Sequence, residues 1–237
     1  MCTVSFYKGK NQIIITSNRD ESIKRPLALA PKKILLKHST VYCPIDPLHN
    51  GTWFTINQKG NVLILLNGAE KKHIPKHSYK KSRGLVLLDI VDSINIIEKW
   101  QSVDLHLIEN FTIVSYFDGK LMQFRWDGIK KSHINLDENK SHIWSSTSLY
   151  EQDIITRREG WLHDFLAIKN NVATGDDFFN FHTNTKKEDT TNGLIINRNN
   201  ELLTKNITQA VIEPKRFTLE HRDLITNNCT IIEDLIA

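Results

Sequence analysis

Short apolar runs rich in β-branched residues recur in pairs across polar turns, which restricts this chain to folds built largely from antiparallel strands. Thr3–Tyr7 and Ile13–Ser17 flank Lys8-Gly9-Lys10-Asn11, and Thr52–Asn57 and Val62–Leu66 flank Gln58-Lys59-Gly60-Asn61. Phe111–Phe117 and Leu121–Trp126 bracket Asp118-Gly119-Lys120, and Asp-Gly between apolar runs is a strong hairpin signal. Four further strands are expected near the C-terminus: Gly193–Asn197, Leu202–Lys205, Ile207–Ile212 and Arg216–Leu219, with a turn at Asn199-Asn200. Between the first two hairpins lie Pro26, Pro31, Pro44 and Pro47. The residue before each proline is pushed toward extended geometry, so this stretch reads as loop with short strands.

Helices fill the remaining segments. Leu85, Leu88, Val91, Ile94 and Ile97 or Glu98 recur at helical spacing and predict one helix from about Arg83 to Trp100. Ser148-Leu149-Tyr150-Glu151 has the form of a capping box opening a helix through Trp161, Phe165 and Ile168. A shorter helix is expected around Asp176–Phe181, with Asp176 and Asp177 in its first turn. Strands, helix, strands, helices and strands in that order give an α+β layered fold.

Composition narrows the function classes. At 237 residues with 40% hydrophobic content the chain can bury a sizeable core, and without a long Pro/Gly/Ser linker a single domain over 1–237 is expected. A net charge of +4 is too mild to argue for nucleic acid. The densest basic stretch, Lys71-Lys72-His73-Ile74-Pro75-Lys76-His77 followed by Lys80, Lys81 and Arg83, reads first as a solvated loop and alternatively as an anion-facing lip beside a pocket. His73 and His77 have the spacing of two metal ligands on a helix, but Pro75 disfavours a helix there. Three cysteines, Cys2, Cys43 and Cys229, an odd count without close spacing, argue against a disulfide framework or a zinc site. No signal peptide and no membrane-length apolar run is seen. No cofactor is implied, and a cytoplasmic monomer or small homo-oligomer is expected.

The candidate chemistry starts at Cys2. Removal of Met1 would leave thiol and α-amine on one residue, and an N-terminal nucleophile uses its own amine as base. An α-amine titrates near pH ~8 and a free thiol near ~8.5, so neutral amine is plentiful near physiological pH. A hairpin of the first two strands brings Asn18-Arg19-Asp20-Glu21 beside Cys2. Asp20 can accept a hydrogen bond from the amine, or cap the following loop. Arg19 can favour the thiolate, or form a weak surface ion pair with Glu21. Asn67-Gly68 ends the fourth strand as a turn or as an oxyanion donor. Trp53 and the phenylalanines Phe178, Phe179 and Phe181 read as core or pocket wall.

Met1-Cys2-Thr3-Val4 with Thr16-Ser17-Asn18-Arg19-Asp20-Glu21 resembles the NRDE family, also called the transport and Golgi organisation family. Arg25-Pro26, Gly51-Thr52-Trp53, Leu66-Asn67-Gly68, Ser82-Arg83-Gly84-Leu85, Phe124-Arg125-Trp126-Asp127-Gly128 and His142 to Tyr150 extend the likeness over most of the chain. More distantly the layout is similar to N-terminal nucleophile hydrolases of the choloylglycine hydrolase and penicillin V acylase type. That resemblance implies a four-layer αββα sandwich of antiparallel sheets, with Cys2 as nucleophile, Asp20 positioning its amine and Asn67 in the oxyanion hole. Those hydrolases usually place an arginine two residues before their Asn-x-Asp motif. Here Ser17 precedes Asn18, and Arg19 falls between Asn18 and Asp20. A second asparagine of theirs falls near Ser146, and a late arginine has no counterpart near Thr190-Thr191-Asn192-Gly193. The resemblance implies an N-terminal cysteine amidohydrolase cleaving linear C–N amide bonds of an acylated small molecule. The alternative is a non-catalytic haem, lipid or acyl-CoA carrier on the same scaffold.

Overall fold

The computed structural model describes residues 2–76 and 78–237, without the side chain of Cys2. In chain order its elements are β1 (Cys2–Lys8), β2 (Ile13–Ser22), β3 (Leu29–Leu35), β4 (Thr40–Ile45), β5 (Phe54–Asn57), β6 (Val62–Asn67), α1 (Arg83–Val91), α2 (Ile96–Ser102), β7 (Phe111–Phe117), β8 (Lys120–Trp126), β9 (Lys131–Leu136), β10 (His142–Ser145), α3 (Gln152–Ile168), α4 (Gly175–Asn184), β11 (Asn197–Arg198), β12 (Leu202–Ile212), β13 (Arg216–Asp223) and β14 (Cys229–Leu235).

Two antiparallel sheets form, each of seven strands. One runs β10-β1-β2-β12-β13-β14 with β11 on β12, and the other takes β3 to β9 in sequence order. Their inner faces meet through Phe6 on Tyr116, Tyr42 on Phe217 and Trp53 on His221. On the outer face of the second sheet, Trp100 of α2 packs against Phe111 and Phe124. On the outer face of the first, Tyr7 and Ile14 cluster with Leu162, Phe178 and Phe181 of α3 and α4. Helix, sheet, sheet and helix therefore stack in four layers, as the family resemblance implies. Burying each such side chain contributes about 1.5–3 kcal/mol, so the apolar alternation of the strands fixes their register.

The predicted hairpins form. Asp118 and Gly119 both adopt positive φ (48° and 76°), as a two-residue hairpin turn requires, and Asn199 and Asn200 do the same (54° and 57°). The proline-rich stretch is more regular than expected: β3 and β4 pair, with a register shift between Leu29 and Lys32 at Pro31. A bulge on an edge strand is where a missing donor is tolerated. Strands β9, β10 and β14 add to the expected set. The exposed, polar β9 and the alternately exposed β14 carry little apolar signal.

The single helix expected over 83–100 is two helices. Asp92 is diverted from the helix to accept hydrogen bonds from the backbone N–H groups of Lys37, His38 and Ser39. Asn95 then caps α2 by accepting from Ile97 and Glu98. The buried face of α1 is Val86, Leu87, Ile90 and Val91, and Ile94, within the break, is 84% exposed. The expected capping box at Ser148 is not made. The Ser148 hydroxyl pairs with Ser146 instead (2.8 Å), and Glu151 stands at the N-cap of α3 without a side-chain bond. A complete capping box occurs at α4, between Thr174 and Asp177.

Candidate active site

The start of the chain is held in the sheet by pairing on both sides. Cys2 pairs with Arg19 across β1 and β2, and Thr3 pairs with Ser145 of β10. Asp20 is the next residue of β2, diagonal to Cys2 at about 6 Å between backbones, from the strand spacing and the rise per residue. Strand alternation separates the polar quartet into two groups. Asn18 and Asp20 face the layer of α3 and α4, whereas Arg19 faces the second sheet.

Arg19 is buried, and its guanidinium lies 4.4 Å from the centre of the Trp53 ring. Its Nη2 donates to Asp46 Oδ2 at 2.7 Å, and the Glu21 carboxylate is 3.5 Å away. The expected surface pair with Glu21 is thus a buried network whose main anion is Asp46. Arg25 Nε donates to the same Asp46 oxygen at 2.9 Å. Burial would raise the Asp46 carboxyl, but Arg25 and Arg19 outweigh it and hold it below the ordinary range. Trp53 serves as both core and wall, being buried while bordering the cavity below.

Asn67 ends β6, and Gly68 follows with φ +86°. A Cβ on Gly68 would stand 2.3 Å from the Thr147 hydroxyl oxygen, so glycine lets this turn pass close to the segment after β10. The Ser146 hydroxyl donates to the Asn67 carbonyl at 2.6 Å. Sequence-distant Asn67 and Ser146 are therefore neighbours.

A cavity of about 770 Å³ opens between these elements, lined by Arg19, Glu21, Arg25, Asp46, Trp53, Asn67 and the 78–85 segment, among others. Most of its charged walls are paired: Arg83 with Glu109 (2.9 Å), Lys80 with Asp104 (3.3 Å) and Lys81 with Asp89. The basic stretch thus divides. Lys71, Lys72 and Lys76 are exposed as a solvated loop, and Lys80, Lys81 and Arg83 form the pocket lip. His73 lies in a non-helical segment, 3.4 Å from Glu109, while His77 is outside the described residues.

Asn18 departs from the cavity side. Its Oδ1 pairs with His182 Nδ1 (2.7 Å), its Nδ2 donates to the carbonyls of His182 and Leu194, and His182 Nε2 meets Ser5 Oγ at 2.7 Å. Ser5, Asn18 and His182 are all fully buried, and burial holds the imidazole neutral, down to about 3. This trio ties β1 and β2 to α4.

Asp20 is fully buried and accepts two hydroxyl hydrogen bonds, from Tyr150 Oη (2.8 Å) and Thr204 Oγ1 (2.7 Å). The alternative role of capping the following loop is not what it does. Thr204 reaches it because of a β-bulge: Thr204 opposes Asp20 and Asn206 opposes Arg19, leaving Lys205 as the extra residue. Burial raises the Asp20 carboxyl above the ordinary range, and the Thr204 hydroxyl, the Arg158 charge and the Tyr150 hydroxyl each act to lower it. Neither Tyr150 nor Arg158 was expected in the site. Arg158 is fully buried, donates to the Gly193 carbonyl at 2.6 Å and stacks 3.7 Å from the Tyr150 ring centre. It reaches from α3 the Asn192-Gly193 segment where the sequence shows no arginine of its own. The legible signal was a charge inside an apolar helical stripe, Ile154, Arg158, Leu162 and Leu166.

Residues 1–221 match the Transport and Golgi organisation 2 family. The chain belongs to that family. No curated protein matches the chain at comparable significance. Among solved structures, penicillin V acylase from Agrobacterium tumefaciens superimposes with a TM-score of 0.57 at 11% identity, over 98% of this chain and 86% of that one. A mutant conjugated bile acid hydrolase from Clostridium perfringens gives 0.54 at 11% identity, over 98% and 92%. The Caenorhabditis elegans ortholog of N-acylethanolamine-hydrolyzing acid amidase gives 0.56 at 8% identity, over 88% and 92%. At such identities the likeness shows the fold, that of N-terminal nucleophile hydrolases, in a member of the Transport and Golgi organisation 2 family.

Proposed function

We propose that this protein is an N-terminal cysteine amidohydrolase acting on linear C–N amides of an acylated small molecule. The observation that carries the reading is the β1/β2 register, which sets the backbone of Cys2 opposite Arg19 and one step from buried Asp20. After loss of Met1, the Cys2 thiol attacks the amide carbonyl and passes its proton to the α-amine. The Asn67 side-chain amide donates to the oxyanion, and Arg19 favours the thiolate. Collapse breaks the C–N bond, the departing nitrogen takes the proton, and a thioester remains on Cys2. Water, deprotonated by the same amine, then releases the acyl group as a carboxylate. Ser146 acts indirectly, by fixing the Asn67 carbonyl, and Asn18 by anchoring β2.

Intact mass tests the first requirement: the mature protein should lack Met1. Incubation with a panel of acyl amides should then give an acyl adduct on Cys2, and Cys2→Ala should abolish both adduct and turnover. Full turnover by Cys2→Ala would overturn the mechanism.

A second reading has its own observation, the cations Arg25, Lys80, Lys81 and Arg83 around the cavity. They suit the propionates of haem or the phosphates of acyl-CoA in a carrier. A spectral shift with haem, or thermal stabilisation by acyl-CoA, in the Cys2→Ala protein supports it, and the absence of both counts against it.

A further inference from the structure

Arg158 carries a positive charge in the interior, and among the described residues no carboxylate bonds it. Its hydrogen bonds go to neutral oxygens: Thr3 Oγ1 (2.6 Å), Ser145 Oγ (3.1 Å) and the Asn192 and Gly193 carbonyls. Asp20 has the converse problem, a completely buried carboxyl whose side-chain partners among the described residues are hydroxyls. Each ion alone is costly inside a protein. Tyr150 joins them, with its ring face on the guanidinium and its hydroxyl on the carboxylate. The negative face of the ring meets the cation, and the phenolic proton meets the anion.

Resting on the reading of Asp20 as the group that holds the Cys2 amine, we infer that Tyr150 and Arg158 are positioning residues of the hydrolytic site. Arg158 favours the charged form of Asp20 and, through Tyr150, its aim at the amine, and through Thr3 it fixes the residue that follows the nucleophile.

Other groups reach Asp20 and Tyr150 as well: the positive amino terminus also acts to lower the Asp20 carboxyl. From β12 comes the neutral Thr204 hydroxyl, and from β11 Arg198, whose guanidinium lies 5.1 Å from the Tyr150 ring centre and donates to the Leu149 carbonyl. From α4 comes His182, neutral and bonded to Asn18. Arg19 and Glu21, the neighbours of Asp20 on β2, face the opposite side of the sheet. Burial raises the Asp20 carboxyl, while Arg158 and Tyr150 lower it. Removing either therefore raises it further, and a larger fraction of Asp20 is protonated at a given acidic pH.

Tyr150→Phe keeps the ring on Arg158 and removes only the hydroxyl. The acidic limb of kcat/KM should move up by about one pH unit, the equivalent of one hydrogen bond to a charged group, with activity recovering at higher pH. Arg158→Met should move it in the same direction. A limb unchanged in Tyr150→Phe, with activity reduced equally at all pH values, would overturn the inference. The ¹³C carboxyl titration of Asp20 gives a readout independent of turnover: its midpoint should rise in Tyr150→Phe, and an unchanged midpoint is equally fatal. If the wild-type protein forms no adduct on Cys2, the hydrolytic reading fails, and the coupling of Asp20 to Tyr150 and Arg158 stands or falls on the titration.

Discussion

Asp46 accepts from two arginines at once, and that sharing governs the electrostatics on the cavity side of β2. Asp46→Ala leaves the Arg19 guanidinium buried without its main anion, which is expected to cost about 3–5 kcal/mol, read as a lower urea midpoint. The same pair should make stability fall in acid. The Asp46 carboxyl sits below its ordinary value of 3.8, so its contribution is complete above that value and is lost as pH falls through the depressed native one. Asp46→Asn should flatten stability over that acid range. Asn67→Ala tests the oxyanion role: kcat should fall roughly 10²–10³-fold with KM little changed, and an unaltered kcat would remove Asn67 from the chemistry. At this scale the sequence was informative where chemistry follows chain order. Asp20 could be placed beside Cys2 because one hairpin joins them. Tyr150, Arg158 and Asp46 could not, because they arrive from other elements and their partners are set by packing.

Elements were legible where a turn chemistry or a strict period marked them, as at Asp118-Gly119. They were misread where a polar side chain left its own element to serve another. Asp92 and Asn95 divide a periodic apolar segment, and Ser148 gives up a capping role to pair with Ser146. The β12 bulge was read as a gap between two strands, although it is what brings Thr204 to Asp20. Close backbone approach is a further hidden determinant. A Cβ on Gly84 would lie 2.7 Å from both the N and O of Thr52, so the first turn of α1 rests directly on the chain leading into β5. Gly84→Ala should force α1 outward and cost about 1–3 kcal/mol, as overpacking does. Thermal denaturation would show it, and a neutral effect would mean that the two segments separate easily.

Across the whole molecule the pairing of β2 with β12 joins residues 13–22 to residues 202–212 at the centre of a sheet. The first sheet is therefore incomplete until both ends of the chain are present, whereas the second uses strands that are neighbours in sequence. We expect the chain to unfold in one transition, in line with a single domain over 1–237. A fragment of residues 1–150 should lack cooperative unfolding when followed by circular dichroism, and a sharp transition in that fragment would contradict this expectation. The layered architecture was legible through its hairpins and the family likeness. The order of strands in the first sheet was not, because nothing local in β12 names β2 as its partner.

That central ladder also sets a schedule. Strands β1 and β2 can pair as soon as both are made, but the other edge of β1 waits for β10 and that of β2 for β12. On the proposed mechanism we expect removal of Met1 to precede the closing of this ladder, and an intact mass that retains Met1 in the folded protein would contradict that order.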